Sequence, residues 1–341
     1  MDQEPDEETA ILIEQLAIYF LAAQLIFIIV GVGLIIPHLF ITTRKSMRTS
    51  STNSLIIGIA FCDLFVLIGT FSPLNWNASE NCYNDRSYFR ISKLIITNML
   101  LDTFTRSSYY LGLSLAVIRL LVISFPMNLR IGTLSKQSIG FYVLAGMIFV
   151  KFLPSANYSL RYDVVPGEDW IPPETCTSFL SNYSEKQYSD VLPSEFQYDL
   201  YQIISGVLQC FVSIAHPIFA ILLYLEIRRS SKSAVRVSSQ KTSDRKRTSK
   251  MVLLMTISYV LSSAPMGLNF FLMIYVRSSF VLNIVVGYGG IIISIFFTIN
   301  ASMHCIICLV MSSEYQKTVK GLLRIGRDKR VVVVQSVTVG K

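Results

Sequence analysis

Apolar residues in this chain gather into long runs instead of alternating with polar ones. A hydrocarbon layer about 30 Å thick takes about 20 apolar residues at helical rise. Stretches near 16–41, 54–73, 95–124, 138–157, 199–227, 251–276 and 280–310 meet that length. The pattern predicts an all-α membrane protein, a bundle of seven transmembrane helices. Residues 1–15 then form a tail before the bundle. Residues 312–341 form an amphipathic helix and a second tail, with Leu322, Leu323 and Ile325 facing lipid. The third stretch is interrupted by Asp102, Arg106 and Arg119, yet Leu111 to Phe125 is otherwise nearly all apolar.

Charge gives this bundle a direction. Charged residues make up 15% of the chain, where a soluble domain carries about a quarter. One side receives Arg44, Lys45, Arg48, Arg130 and Lys136, nine bases from Arg228 to Lys250, and seven after Tyr315. The other side holds six bases diluted by acids. The basic side is expected to be cytoplasmic, which puts the N-terminus outside and the C-terminus inside. The net charge of +8 is then spent on topology and anionic lipid, and no nucleic-acid partner is expected. The first ten residues carry five acids and no base, the wrong sign for a cleaved signal peptide, so the first span is expected to remain as an anchor. Sequons at Asn77, Asn157 and Asn182 fall on the predicted outer side and are candidate glycosylation sites.

The composition also narrows the chemistry. No lysine occurs from Phe280 to Met311, which removes the Schiff base of a retinal protein. His38, His216 and His304 are spread over three helices, a poor pattern for a metal hydrolase, and no metal or other cofactor is expected. No internal repeat or polar stripe suggests a transporter or channel. The reading is a non-enzymatic protein. Four cysteines lie within apolar runs, whereas Cys82 and Cys176 lie in connections.

Ionisable groups inside lipid are expensive and generally serve a purpose. Asp63 stands mid-membrane in the second span. Asp102 and Arg106, at i and i+4, share one helix face and can pair. Arg119 lies seventeen residues beyond Asp102, about 25 Å along the axis, which sets the pair in the outer half as a structural ion pair that also lines a cavity. Lys151 in the fourth span could join this pair, but is expected instead to snorkel outward. Pro265 must interrupt the sixth helix, with Tyr259 six residues before it. The second outer connection is acidic and aromatic, with Asp163, Glu168, Asp169, Glu174 and Trp170, so Trp170 is a further candidate for ligand contact and the carboxylates could steer a cation.

The mid-membrane Asp63, Arg119 with its later Pro126, and the proline-broken sixth helix resemble the pattern of rhodopsin-type G-protein-coupled receptors. The runs His38-Leu-Phe-Ile-Thr-Thr-Arg-Lys-Ser-Met-Arg48, Ala116-Val-Ile-Arg119-Leu-Leu-Val-Ile-Ser-Phe-Pro126, Trp170-Ile-Pro-Pro-Glu-Thr-Cys176 and Ile299-Asn-Ala-Ser-Met-His304 resemble the nematode serpentine receptor class w, a group similar to receptors for FMRFamide-like neuropeptides. The resemblance implies a plasma-membrane receptor for an extracellular ligand, a peptide favoured over a small environmental molecule. It implies a heterotrimeric G protein as partner at Arg119 and Pro126, and a disulfide between Cys82 and Cys176. It also implies that Asp63 and His304 lie mid-membrane on adjoining helices, where each either hydrogen-bonds locally or couples to the other, with Asn300 of the seventh span a further intramembrane polar candidate. Coupled to Asp63, His304 would make signalling respond to pH between about 5 and 8. Ile35, Ile118, Ser263 and the run His304-Cys-Ile-Ile-Cys308 depart from the rhodopsin-type pattern, which leaves incomplete the usual sodium site and inactive-state lock.

Overall fold

The computed structural model describes residues 7–71, 84, 86–125, 127–172, 176, 183–192, 194–233, 239–275, 280–312 and 314–322. Asn77, Cys82, Pro126, Asn182, Leu323 and Ile325 lie outside the described residues. Among the described residues, eight helices and one hairpin follow in the order α1 (Glu7–Thr42), α2 (Ser51–Phe71), α3 (Tyr88–Ser124), α4 (Leu129–Thr133), α5 (Gln137–Ser159), β1 (Asp163–Trp170), β2 (Glu185–Val191), α6 (Glu195–Ser233), α7 (Ser239–Tyr275) and α8 (Phe280–Met311). A last helix, α9, covers 314–322. All the helices but α4 and α9 are long and apolar enough to cross a bilayer, which gives seven membrane-spanning helices.

Polarity is arranged inside out. Ile26, Ile29, Phe40, Phe61, Phe149, Phe211, Ile221 and Leu261 are exposed on the flanks, whereas Ser54, Asp63, Ser108, His216, Asn300 and His304 are buried. Lipid solvates the flanks, so burial here follows packing and hydrogen bonding and not hydrophobicity. The helices close into a ring in which α1 packs on both α2 and α8, while α3 packs against α2, α5, α6 and α7. α3 is therefore the axis of the bundle. Close approach needs small residues at the contacts. A Cβ on Gly140 of α5 would stand 2.6 Å from the Ser51 carbonyl oxygen of α2.

Several helices overrun the apolar stretches. α3 begins at Tyr88, seven residues before the expected 95, and α6 and α7 continue to Ser233 and from Ser239, beyond the expected 227 and 251. Hydropathy marks only the length immersed in lipid, and a polar sequence with good helix formers continues the ladder into water. α2 instead starts early at Ser51 and ends at Phe71, short of the expected 73, ahead of Pro73. Two elements had no apolar signal. In α4, Asn128 caps the helix by accepting from the Arg130 and Ile131 amides.

The other is the hairpin. Strands β1 and β2 pair antiparallel with Asp163 opposite Val191 and Trp170 opposite Glu185, and a bulge falls between Pro166 and Asp169. It is tied to the start of α3. The Tyr188 amide donates to the Arg86 carbonyl at 2.7 Å, and the Asn84 side chain donates to the Lys186 carbonyl at 2.9 Å. On the exposed face, Lys186 and Asp169 meet at 2.7 Å, a bond that raises the lysine pKa above its ordinary value.

Candidate functional site

Two polar clusters are strung along α3. The first is near the hairpin end. Arg106 Nε donates to Asp102 Oδ1 at 2.7 Å, and Arg106 Nη2 donates to the Tyr201 hydroxyl at 2.9 Å. Tyr201 in turn donates to Asp102 Oδ2 at 2.6 Å, and Ser155 of α5 donates to the same oxygen. The expected i, i+4 pair is thus locked by groups from α5 and α6. Tyr158 stacks on Tyr201 with centroids 3.9 Å apart, and the Arg106 guanidinium lies 5.0 Å from the Phe270 ring of α7.

A cavity of about 200 Å³ opens beside this lock, between α3, α5 and α6. Its walls include Arg106, Tyr110, Lys151, Arg161, Tyr201 and Gln209. Lys151 corrects the expectation that it snorkels outward. Its residue is 8% exposed, and its Nζ sits 3.1 Å from the centre of the Tyr110 ring. The physical reason is position. Lys151 lies eight residues, about 12 Å, before the end of α5 on the face turned to α3, and an aromatic face there receives the ammonium.

The second cluster sits mid-bundle. Asp63 is fully buried, accepts from Ser108 Oγ at 2.6 Å, and takes His304 Nδ1 at 3.2 Å on its other oxygen. The structure therefore brings Asp63 and His304 together. The Tyr259 ring lies 4.8 Å from the His304 ring and stacks on His216 at 5.1 Å. Asn300 is one turn away and accepts from Ser258 of α7 at 2.7 Å. Among the described residues His304 Nε2 and Asn300 Nδ2 are buried without a hydrogen-bond partner.

Pro265 lies within α7, where it removes one rung of the ladder. Neighbouring helices reach the weakened segment. Tyr109 of α3 donates to the Ser262 carbonyl at 3.2 Å, and Ser213 of α6 donates to Ser263 at 3.1 Å. α3 thus contacts the charge lock, the buried carboxylate and the interrupted helix through Arg106, Ser108 and Tyr109, all within one turn.

Other expected residues lie apart from these clusters. Arg119 is half-buried near the far end of α3. Trp170 is at the end of β1, 6.4 Å from the Tyr183 ring, and does not line the cavity. Asn157 lines the cavity mouth, with its amide oxygen accepting from Arg161 at 3.0 Å. Cys176 is buried and disulfide-bonded. Sequence reasoning missed Ser108, Ser155 and Tyr201. It also missed a polar stripe on α6: Gln197, Tyr201, Ser205, Gln209 and Ser213 recur every four residues, and the first four line the cavity. That spacing was readable as a single helix face.

Seven helices closed in a ring around a polar axis, with a cavity at one end, define a multi-pass membrane protein of the seven-helix class. The chain belongs to a family of that class, since the family model described as serpentine type 7TM GPCR chemoreceptor Srw matches residues 22–326. No curated protein matches the chain. The family couples an extracellular ligand to a G protein from the plasma membrane and is not a class of enzymes.

Proposed function

We propose that this receptor reads a small extracellular molecule in the cavity between α3, α5 and α6 and passes the signal along α3 to a heterotrimeric G protein at Arg119. The observation that carries the reading is the lock of Asp102, Arg106, Ser155 and Tyr201, which joins the cavity wall to the helix that also holds Ser108 and Tyr109. A ligand that disturbs the lock shifts α3 against α7, where Pro265 leaves the ladder open. The Lys/Arg distribution supports the hairpin end facing outward and the α9 end facing the cytoplasm.

Cavity size favours the small ligand. Drug-sized ligands occupy clefts of about 300–1,000 Å³, and this one offers about 200 Å³. The second reading, an FMRFamide-like peptide, is supported by the exposed carboxylates Asp163, Glu168 and Asp190 on the hairpin, which would attract a cationic peptide. Surface-expressed receptor is screened with amidated peptides and with small organic molecules, reading G-protein activation. Activation by small molecules, lost in Arg106→Gln and kept when the three hairpin acids are made amides, supports the first reading. Activation by peptides alone, lost with the hairpin acids, overturns it in favour of the second. Tags at the two ends detected on the same face of the cell would overturn the topology.

A further inference from the structure

The cavity carries a surplus of positive charge. Three of its lining residues, Arg106, Lys151 and Arg161, are cations. Asp102, the carboxylate beside Arg106, is already taken up by Arg106, Tyr201 and Ser155. Lys151 makes no ion pair among the described residues, and its ammonium lies 3.1 Å from the centre of the Tyr110 ring. An ammonium on a cavity wall that no carboxylate pairs with directly is free to pair with an anion entering the cavity. Polar atoms also wait on the α6 wall. Ser205 Oγ and Gln209 Nε2, on residues 1% and 2% exposed, are buried without a hydrogen-bond partner among the described residues. Next to these groups on α6, Leu200, Ile204 and Leu208 line the cavity together with Pro154 of α5, and all four are exposed on the flank of the bundle.

We infer that the cavity recognises an anionic amphiphile, whose carboxylate or phosphate head pairs with Lys151 and whose apolar body lies along Leu200, Ile204 and Leu208. Ser205 and Gln209 supply neutral hydrogen bonds to the ligand. The exposed flank lets such a molecule arrive from the bilayer as well as from water, so a diffusible acid and a lipid head group share one chemistry. The inference rests on the reading of this cavity as the ligand site.

The test uses the purified full chain in phosphatidylcholine nanodiscs, titrated with octanoate and with octanol, with binding read by calorimetry. A charged hydrogen bond is expected to make octanoate bind about 10- to 100-fold more tightly than octanol. Lys151→Gln removes that margin by weakening the acid alone, and Lys151→Arg keeps it. In a second arm, phosphatidate in the disc competes with octanoate when the bilayer is a source of the head group; lack of competition there, with octanoate still preferred, assigns the site to diffusible acids. Equal binding of acid and alcohol, a preference that survives Lys151→Gln, or no binding by either overturns the inference. Should Lys151→Gln fail to fold, the acid and alcohol on the unaltered receptor decide it. Neutral small molecules that bind and signal where octanoate does not bind sink the anionic head group but leave the small-molecule reading intact. Activation by amidated peptides alone sinks both.

Discussion

Replacing Asp102 with alanine strands Arg106 in the bundle. The guanidinium loses its 2.7 Å partner, while its side chain is only 6% exposed. It keeps the Tyr201 hydroxyl at 2.9 Å and the Tyr201 and Phe270 rings at 5.1 and 5.0 Å. Breaking a buried pair by removing one member costs about 3–5 kcal/mol, and the surviving contacts place Asp102→Ala near the lower end. Arg106→Met leaves the carboxylate with two donors, Tyr201 and Ser155, and is expected to cost about 2 kcal/mol. The double variant has no charge left to strand. It should therefore fall about 2 kcal/mol short of the sum of the singles. Neutral hydrogen bonds between membrane helices couple by only about 0.6 kcal/mol, so the cycle separates an ion pair from a polar contact. Equilibrium unfolding in mixed micelles provides the measurement. Additivity within about 0.5 kcal/mol would refute the lock as an energetic unit.

Glycine positions give a paired prediction. Gly112→Ala drives a Cβ into the Tyr259 ring and is expected to destabilise by about 1–3 kcal/mol, whereas Gly146→Ala meets open space and should stabilise α5 by about 0.5–1 kcal/mol in the same unfolding assay. Asp63→Ala leaves Ser108 and His304 without their acceptor and should lower stability by about 1–3 kcal/mol; an unchanged midpoint would contradict the buried geometry. Pro265→Ala completes the α7 ladder, and its expected signature is ligand affinity unchanged with G-protein activation reduced; equal loss of both would argue against an interrupted helix as the moving part.

The bundle itself was legible because lipid imposes one simple rule, about 20 apolar residues per crossing. Spacing along single helices was equally informative, since Asp102 and Arg106 had only to be four residues apart to meet. What the pattern concealed came from packing between helices. Nothing in the α5 or α6 sequence says that Ser155 and Tyr201 both turn toward Asp102, for that depends on how the three axes cross. Lys151 was misjudged for the same reason: snorkelling assumes a lipid-facing lysine, and which face of α5 meets α3 is a tertiary fact. The hairpin was hidden because its strands, Asp163–Trp170 and Glu185–Val191, are short, polar and largely exposed. They owe their order to Arg86 and Asn84, which anchor the hairpin to the head of α3.

α9 is moored to the opposite end of the chain. The Tyr315 hydroxyl shares a hydrogen bond with His38 Nδ1 at 3.3 Å, Thr318 meets Ser46 at 3.2 Å, and Glu314 accepts from Asn53 at 3.3 Å. This makes the post-membrane segment a clasp that fastens the first helix to the last, so the barrel of helices is hooped at its rim as well as along its staves. A reporter fused upstream of residue 322 would spring that clasp and loosen the seam between α1 and α8, whereas one attached beyond it leaves the hoop closed.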